Sequence, residues 1–165
     1  EGVGYCDCNC LNARGGTIIN IHERVALTAI ESGQIGEHLA AASIICAGYR
    51  CNIVSSQGYD IVMFDNNDIY RVEVKSATEP KGHTKHHKNY KPYSYYVSRG
   101  SRSKRLISSN DADIVALVAN DIKAVMFLPV KAVKVARVRK KPEDFGSETE
   151  SLELALEEVR NDRLE

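Results

Sequence analysis

The sequence predicts an α/β domain with a mixed, roughly five-stranded sheet flanked by helices. Three observations predict it: five apolar runs of strand length, a helical repeat before the first run, and a second helical repeat at the end of the chain. The runs occupy residues 50–54, 60–64, 69–75, 113–119 and 124–130. At 165 residues and 43% apolar content, the chain is long enough for one such core.

The first helix is predicted over residues 34–47, with Gly48 ending it and Glu37 in its first turn. Residues 27–30 begin a helix that either continues into this one or precedes it. The apolar residues at helical spacing are Ile35, Leu39, Ala42 and Cys46.

The second and third strands are predicted to form an antiparallel hairpin. Asn66-Asn67 separates the two apolar runs, and this residue pair is typical of a tight turn. With a side-chain period of two, Arg71, Glu73 and Lys75 share one face of the third strand, so Glu73 and Lys75 face a common site.

Acidic residues inside these strands indicate a metal site. Asp60 lies at the head of the second strand and Glu73 lies inside the third. Burying a carboxylate is costly unless it is paired or bound to a metal. Divalent-metal phosphodiester chemistry is the explanation we favour, although Glu73 and Lys75 alone would also fit a solvated sheet face with one ion pair.

The last two strands are predicted at 113–119 and 124–130, joined by a turn at Asn120-Asp121. Their continuous apolar runs predict burial on both faces, and Asp111 and Asp113 are interpreted as a turn that starts the fourth strand. The residues at 133–139 fit either a further strand or a basic loop.

A helix is predicted over 147–164, where Ser147 and Glu150 form a capping box. Its apolar stripe consists of Leu152, Ala155, Leu156 and Val159. Such a stripe packs on its own domain or forms an oligomer interface, and both alternatives stay open.

The formal net charge is zero, but the charges are segregated along the chain. Residues 81–105 and 123–141 contain Lys and Arg without any acid, whereas 143–165 is strongly acidic. The first basic segment also contains four tyrosines, namely Tyr90, Tyr93, Tyr95 and Tyr96. Basic and aromatic side chains in one segment favour contact with a nucleic-acid backbone, while a solvated loop is the alternative.

The cysteines and histidines are weaker signals. Cys6, Cys8 and Cys10 with His22 resemble zinc ligands only loosely, because their spacing is tighter than in known structural sites. His83, His86 and His87 lack a completing ligand. Cys46 and Cys51 are predicted core residues. Nothing requires disulfides, and no signal peptide or membrane span is predicted, so the expected setting is intracellular and cytoplasmic.

The order of these elements resembles the PD-(D/E)XK nuclease superfamily. The resemblance covers about residues 31–130 and depends on Ile-Gly-Glu-His at 35–38, Gly-Tyr-Asp-Ile-Val at 58–62 and Val-Glu-Val-Lys-Ser at 72–76. Within the superfamily the chain is most similar to the small group I intron homing endonucleases and more distantly to the archaeal Holliday junction resolvases. It departs from the motif at Tyr59, where the superfamily's name has Pro.

The resemblance implies a restriction-endonuclease-like core and a specific set of site residues. Asp60 and Glu73 would be the metal ligands, with the Val74 carbonyl as a third oxygen. Lys75 would orient or activate the attacking water, and Glu37 would be an accessory acid. His38 and Ser76 adjoin these residues without an assigned role. The implied cofactor is Mg²⁺, for which Mn²⁺ should substitute.

The predicted function is metal-dependent DNA cleavage, most specifically site-specific double-strand cleavage of the homing type. Alternatives are junction resolution, restriction-type or repair cleavage, and a non-catalytic DNA-binding module on the same fold. The predicted DNA-binding residues are Lys81, Lys85, Lys88, Lys91, Arg99, Arg102, Lys104 and Arg105. We expect a homo-oligomer, a dimer or tetramer, since paired active sites are needed to cut both strands of a duplex.

The predicted organisation has three parts. They are an N-terminal extension at 1–30, a nuclease core at 31–142 that includes a basic loop at 80–105, and an acidic helix at 143–165.

Overall fold

The computed structural model describes residues 28–54, 58–66, 68–81, 91–100 and 104–164. Within these ranges lie two α-helices, α1 (Ala29–Cys46) and α2 (Glu148–Leu164). The strands are β1 (Arg50–Ile53), β2 (Ile61–Asp65), β3 (Asp68–Ala77), β4 (Tyr93–Tyr96), β5 (Ser98–Arg99), β6 (Arg105–Leu106), β7 (Ile114–Ala119), β8 (Ala124–Pro129) and β9 (Arg137–Lys140).

Five strands form one sheet in the order β1-β2-β3-β7-β8. The β3–β7 pair is parallel and the other neighbours are antiparallel, which confirms the mixed five-stranded sheet. The predicted hairpin is present: Asp65 pairs with Asp68, and Asn66 has the positive φ of 51° that tight hairpin turns require. All six residues of β7 are buried as expected, but the prediction of burial on both faces was wrong for β8. Val125 and Phe127 are buried in the core beneath the helices, whereas Met126 and Leu128 on the opposite face are only partly buried.

Helix α1 includes residues 29 and 30, which confirms the alternative in which the segment at 27–30 continues into the Glu37 helix. Thr28 and Glu31 form a capping box, in which the Glu31 amide donates to Thr28 Oγ1 at 3.2 Å and the Thr28 amide donates to Glu31 Oε2 at 2.8 Å. The helix therefore starts at Ala29, and Glu37 lies in its middle rather than in its first turn. After Cys46 it ends where Gly48 adopts a φ of 96°, a left-handed conformation that favours glycine.

The buried face of α1 differs from the predicted stripe, which was wrong in part. Ala42 and Cys46 are exposed, and Leu39 is only partly buried. The buried residues are mostly small, namely Ser32, Gly36, Ala40, Ala41, Ser43 and Ile44. Small side chains let the helix approach β3 closely. The buried face of α1 is therefore the one with small residues and not the one with the larger apolar residues.

Both helices pack on the same face of the sheet. The alternate β3 residues Tyr70, Val72 and Val74 point into this helix-side core, as the period-two pattern implies. All four residues of the α2 stripe, Leu152, Ala155, Leu156 and Val159, are buried in it. The stripe therefore packs on its own domain, and the alternative of an oligomer interface along it is wrong.

The opposite face is covered by β4 and β9, which form a separate antiparallel ribbon. Tyr93, Tyr95 and Val97 pack there against Val115 and Leu117 of β7. Of the residues at 133–139, which fit either a strand or a basic loop, those from Arg137 onward form a strand, because Arg137–Lys140 pairs with β4.

Two cysteines lie in the described part of the chain. Cys51 is partly buried against the helix-side core, but Cys46 is exposed on α1, so the prediction of a core position was wrong for Cys46. The earlier Cys6, Cys8, Cys10 and His22 lie outside the described residues. Neither α1 nor α2, the helices of the described ranges, combines the length and the apolar character that a membrane crossing requires.

Candidate active site

Asp60 is fixed against β3 at two points. Its backbone amide donates to the Val72 carbonyl at 2.9 Å, and its carboxylate Oδ2 accepts from the Val74 amide at 2.7 Å. Burial raises the pKa of Asp60, the Val74 amide lowers it, and the nearby charge of Glu73 raises it again. Lys75 and Arg99 lower the pKa by their charge, so Asp60 is a partly buried carboxylate near both acidic and basic groups, with burial as the main cause of its raised pKa.

The Val74 carbonyl faces the same edge of β3 as Asp60. The N–H and C=O of one strand residue point to the same neighbouring strand, and the Val74 N–H points to the β2 side. The β2 strand begins only at Ile61, which pairs with Val72, so β2 does not extend as far as Val74. A backbone oxygen and the Asp60 carboxylate thus meet just beyond the end of β2.

Glu73 points to the face of β3 that lies opposite the helix-side core, and it is 4% exposed. Its Oε1 accepts from Lys75 Nζ at 2.5 Å, and its Oε2 accepts from Arg99 Nη2 at 2.8 Å. Two cations thus compensate the buried charge, as a buried carboxylate requires. Glu73 and Lys75 lie on the same face of β3 and contact each other, as the period-two pattern predicted, and Arg99 joins them there.

Glu37 extends the site from α1. Burial raises the pKa of Glu37 most, and the charges of Asp60 and Glu73 raise it further, while His38 lowers it. The helix therefore brings a third carboxylate within electrostatic range of the other two. Within the described residues, however, no three His, Cys, Asp or Glu side chains stand close enough together to hold a metal by themselves.

The neighbours His38 and Ser76 have structural contacts. His38 Nδ1 lies 2.8 Å from the Gln34 carbonyl on the exposed side of α1. Ser76 Oγ donates to the Ser32 carbonyl at 3.1 Å and so ties β3 to the start of α1. Asn120 Nδ2 reinforces this connection by donating to the same carbonyl at 3.0 Å.

Two of the predicted DNA-binding residues pair with acids. Arg99 lies between Glu73 and Asp111, with Nη1 3.9 Å from Asp111 Oδ1. Arg105 binds both Asp111 oxygens at 2.6 Å and, together with Ser108, holds the pKa of that buried carboxyl well below its usual range. Asp111 is thus more than a turn residue, because it pairs with Arg105 and lies within 3.9 Å of Arg99.

The remaining predicted DNA-binding residues divide into two groups. Lys81, Lys91 and Lys104 are exposed. Lys85, Lys88 and Arg102 lie outside the described residues, as do His83, His86, His87 and Tyr90. Tyr93 and Tyr95 are buried, so the idea that all four tyrosines contact a nucleic acid was wrong for these two.

A polar groove that the sequence did not identify lies beside the end of β3. Its volume is about 560 Å³, and the residues that line it include Ser76, Lys81, Ser94, Tyr96 and Arg137. The Arg137 guanidinium stacks over the Tyr96 ring at 5.2 Å, and Tyr96 is 58% exposed. The alternation Arg137, Val138, Arg139 was an available signal for a strand with one basic face.

Comparisons with known proteins concern the fold. No protein-family model matches the chain, and no curated protein matches it in sequence. Among solved structures, the bacterial homing endonuclease I-Ssp6803I matches with a TM-score of 0.62 at 16% identity, over 83% of this chain and 99% of that chain. The chain has a homing-endonuclease-like fold. This agrees with the predicted restriction-endonuclease-like class of a mixed sheet with helices.

Proposed function

We propose that the protein is a metal-dependent DNA endonuclease of the PD-(D/E)XK type that cleaves both strands at a specific site. One observation supports the proposal: on a homing-endonuclease-like fold, Asp60 precedes the first residue of β2 and its carboxylate accepts from the Val74 amide, which lies between Glu73 and Lys75 on β3.

The chemistry of the donor set fits a hard divalent cation. Asp60, Glu73 and the Val74 carbonyl would hold Mg²⁺, or Mn²⁺ in its place, since these ions prefer a few carboxylate and carbonyl oxygens plus waters. Burial is the main cause of the raised pKa values of Asp60 and Glu37, and the neighbouring carboxylates add a smaller contribution that a bound cation would offset. When bound, such a metal lowers the pKa of water and neutralises charge on a phosphate.

Lys75 and Glu37 would position the attacking water in the proposed reaction. The Lys75 ammonium is held against Glu73 on the site face of β3, where it can donate a hydrogen bond to an attacking water and stabilise hydroxide by its charge. Glu37 stands on α1 with its carboxylate in range of Asp60, so it can orient a water from the helix side.

The DNA contacts are proposed for the basic surfaces near the end of β3. Exposed Lys81, Lys91 and Lys104 offer phosphate contacts, and Arg137 with Arg139 adds a basic face on the ribbon. A two-stranded ribbon fits the major groove of B-DNA, where sequence is read. We further propose a dimer or tetramer, because each chain carries one candidate site and both strands are cut.

The deciding experiment is a cleavage assay with Mg²⁺ on duplex libraries, forked DNA and four-way junctions. We expect a specific duplex to be cut, Asp60→Asn and Lys75→Ala to abolish cutting, and DNA binding to persist in both variants. Asp68→Asn is the matched control, because Asp68 is an exposed carboxylate on the same hairpin.

The outcomes separate the alternatives. Cutting of junctions alone would identify a resolvase, and DNA binding by a wild-type protein that cuts nothing would identify a binding module. Unchanged cleavage by Asp60→Asn would refute the assignment of the site.

A further inference from the structure

Arg99 lies between two carboxylates, Glu73 of the candidate site and Asp111 outside it. Its Nη2 donates to Glu73 Oε2 at 2.8 Å, and its Nη1 lies 3.9 Å from Asp111 Oδ1. Its side chain is 25% exposed, so solvent can reach it. Within the described residues, the buried Nε atom has no hydrogen-bond partner. Among the described residues, the one hydrogen bond that the guanidinium donates goes to Glu73, a residue of the candidate site.

The Asp111 side of this arrangement does not depend on Arg99. Both Asp111 oxygens accept from Arg105 at 2.6 Å, and Asp111 Oδ2 also accepts from the amide and the hydroxyl of Ser108 at 3.0 and 2.9 Å. Asp111 would thus stay paired if Arg99 moved. Glu73 is different, because its Oε2 accepts a hydrogen bond from Arg99, and a metal ion bound by Glu73 would compete with Arg99 for this carboxylate.

The sum of the formal charges in the candidate site indicates a role for Arg99 when Glu73 binds a metal ion. Three carboxylates, Glu37, Asp60 and Glu73, face two cations, Lys75 and Arg99, which leaves one net negative charge. A divalent cation would turn this into one net positive charge, which matches a single phosphodiester. Without Arg99 the loaded site would be neutral and would attract the substrate less strongly.

We propose that Arg99 alternates between two anions. It pairs with Glu73 in the metal-free protein, and when a metal takes the Glu73 carboxylate, the guanidinium binds a non-bridging oxygen of the scissile phosphodiester. This rests on the proposed function. Arginine suits the second role because its planar donor fork matches phosphate geometry.

The test measures metal binding and cleavage separately. Arg99→Ala should bind Mn²⁺ without DNA about fivefold more tightly than the wild type, since one competing cation is removed from Glu73. Its single-turnover cleavage rate at saturating protein should fall about 100-fold, a typical loss for one donor that stabilises the reacting group. Arg99→Lys should recover part of the cleavage rate, because it retains the charge without the fork.

The matched control is Arg163→Ala. Arg163 also bridges two carboxylates, Asp68 at 3.8 Å and Asp113 at 3.6 Å, but none in the candidate site. We expect its Mn²⁺ affinity and cleavage rate to stay within about twofold of the wild type. Circular dichroism of each variant checks that it is folded.

Each result decides something. Tighter Mn²⁺ binding together with slower cleavage supports the proposal. Unchanged or weaker Mn²⁺ binding by folded Arg99→Ala overturns it and assigns Arg99 a structural role, and an unchanged cleavage rate overturns the phosphate contact. A wild-type protein that binds no Mn²⁺ and cuts no DNA overturns the proposed function itself, and the alternation of Arg99 falls with it.

Discussion

Gly36 sets the distance between α1 and β3, and replacing it should reveal this. A Cβ atom at position 36 would lie 2.6 Å from Ser76 Cβ and 3.6 Å from Val74 Cγ1. The first distance is far below a van der Waals contact, and Ser76 Cβ is attached directly to the β3 backbone. Gly36→Ala therefore has to push the helix and the strand apart.

Gly33 provides an internal control on the same helix, because a Cβ atom there would meet nothing within 4 Å. Alanine is favoured over glycine in a helix by about 1 kcal/mol, so Gly33→Ala should stabilise the protein by roughly 0.5–1 kcal/mol. At Gly36 the same gain is opposed by an overpacking cost of about 1–3 kcal/mol. The two variants should therefore differ by about 1–3 kcal/mol.

Urea unfolding measures this difference. With an m-value of about 2 kcal/mol per M, the midpoint of Gly36→Ala should lie roughly 0.5–1.5 M below that of Gly33→Ala. Equal stabilisation by both substitutions would refute the close approach of α1 to β3. Since Glu37 follows Gly36 directly, we also expect Gly36→Ala to slow cleavage more than Gly33→Ala does.

Two further predictions concern the core and the pH dependence. Leu156→Ala should lower the free energy of unfolding, measured with urea, by about 2–5 kcal/mol, because Leu156 is 0% exposed in the helix-side core. The control Leu154→Ala, at a residue 60% exposed, should lower it by at most about 0.5 kcal/mol. Equal losses would contradict the packing of α2. Because the pKa of Asp60 is raised, the folded state holds this proton more tightly than the unfolded chain does. The free energy of unfolding should therefore gain a contribution from Asp60 as the pH falls through its folded pKa. Over the same pH range the affinity for Mn²⁺ should fall. Asp60→Asn should raise the urea midpoint of the metal-free protein near pH 7 and remove this part of its pH dependence; a lower midpoint would contradict the burial of a charged Asp60.

The sequence was most informative where local patterns determine structure. The β2–β3 hairpin followed from the Asn-Asn pair and the period-two alternation, and both act over a few residues. The same alternation placed Glu73 and Lys75 on one face. The early start of α1 was also encoded locally, in Thr28 and Glu31, but the two glycines that follow weaken the intrinsic helix propensity there.

The parts that could not be predicted depend on contacts between distant segments. The ribbon joins Tyr93 to Lys140, and no local pattern encodes that register. Likewise, a run of Lys and Arg does not reveal which cations face solvent and which face an acid. Arg99 and Arg105 belonged to one basic run, yet both lie against carboxylates: Arg99 against Glu73, 26 residues away in sequence, and Arg105 against Asp111, six residues away.

The candidate site depends on the unequal lengths of two paired strands. Had β2 begun earlier, its backbone would pair with Val74, and the Val74 amide and carbonyl would be used in the ladder. Instead, Gly58 has a φ of 141°, a conformation that side-chain-bearing residues rarely adopt, and regular pairing stops at Ile61. Asp60, two residues after this glycine, uses its carboxylate to accept the hydrogen bond that a longer strand would have accepted. Within the described residues, β2 thus leaves the Val74 carbonyl outside the ladder, and the Asp60 carboxylate lies on the same side of β3. These are two of the oxygens that the proposed metal site requires.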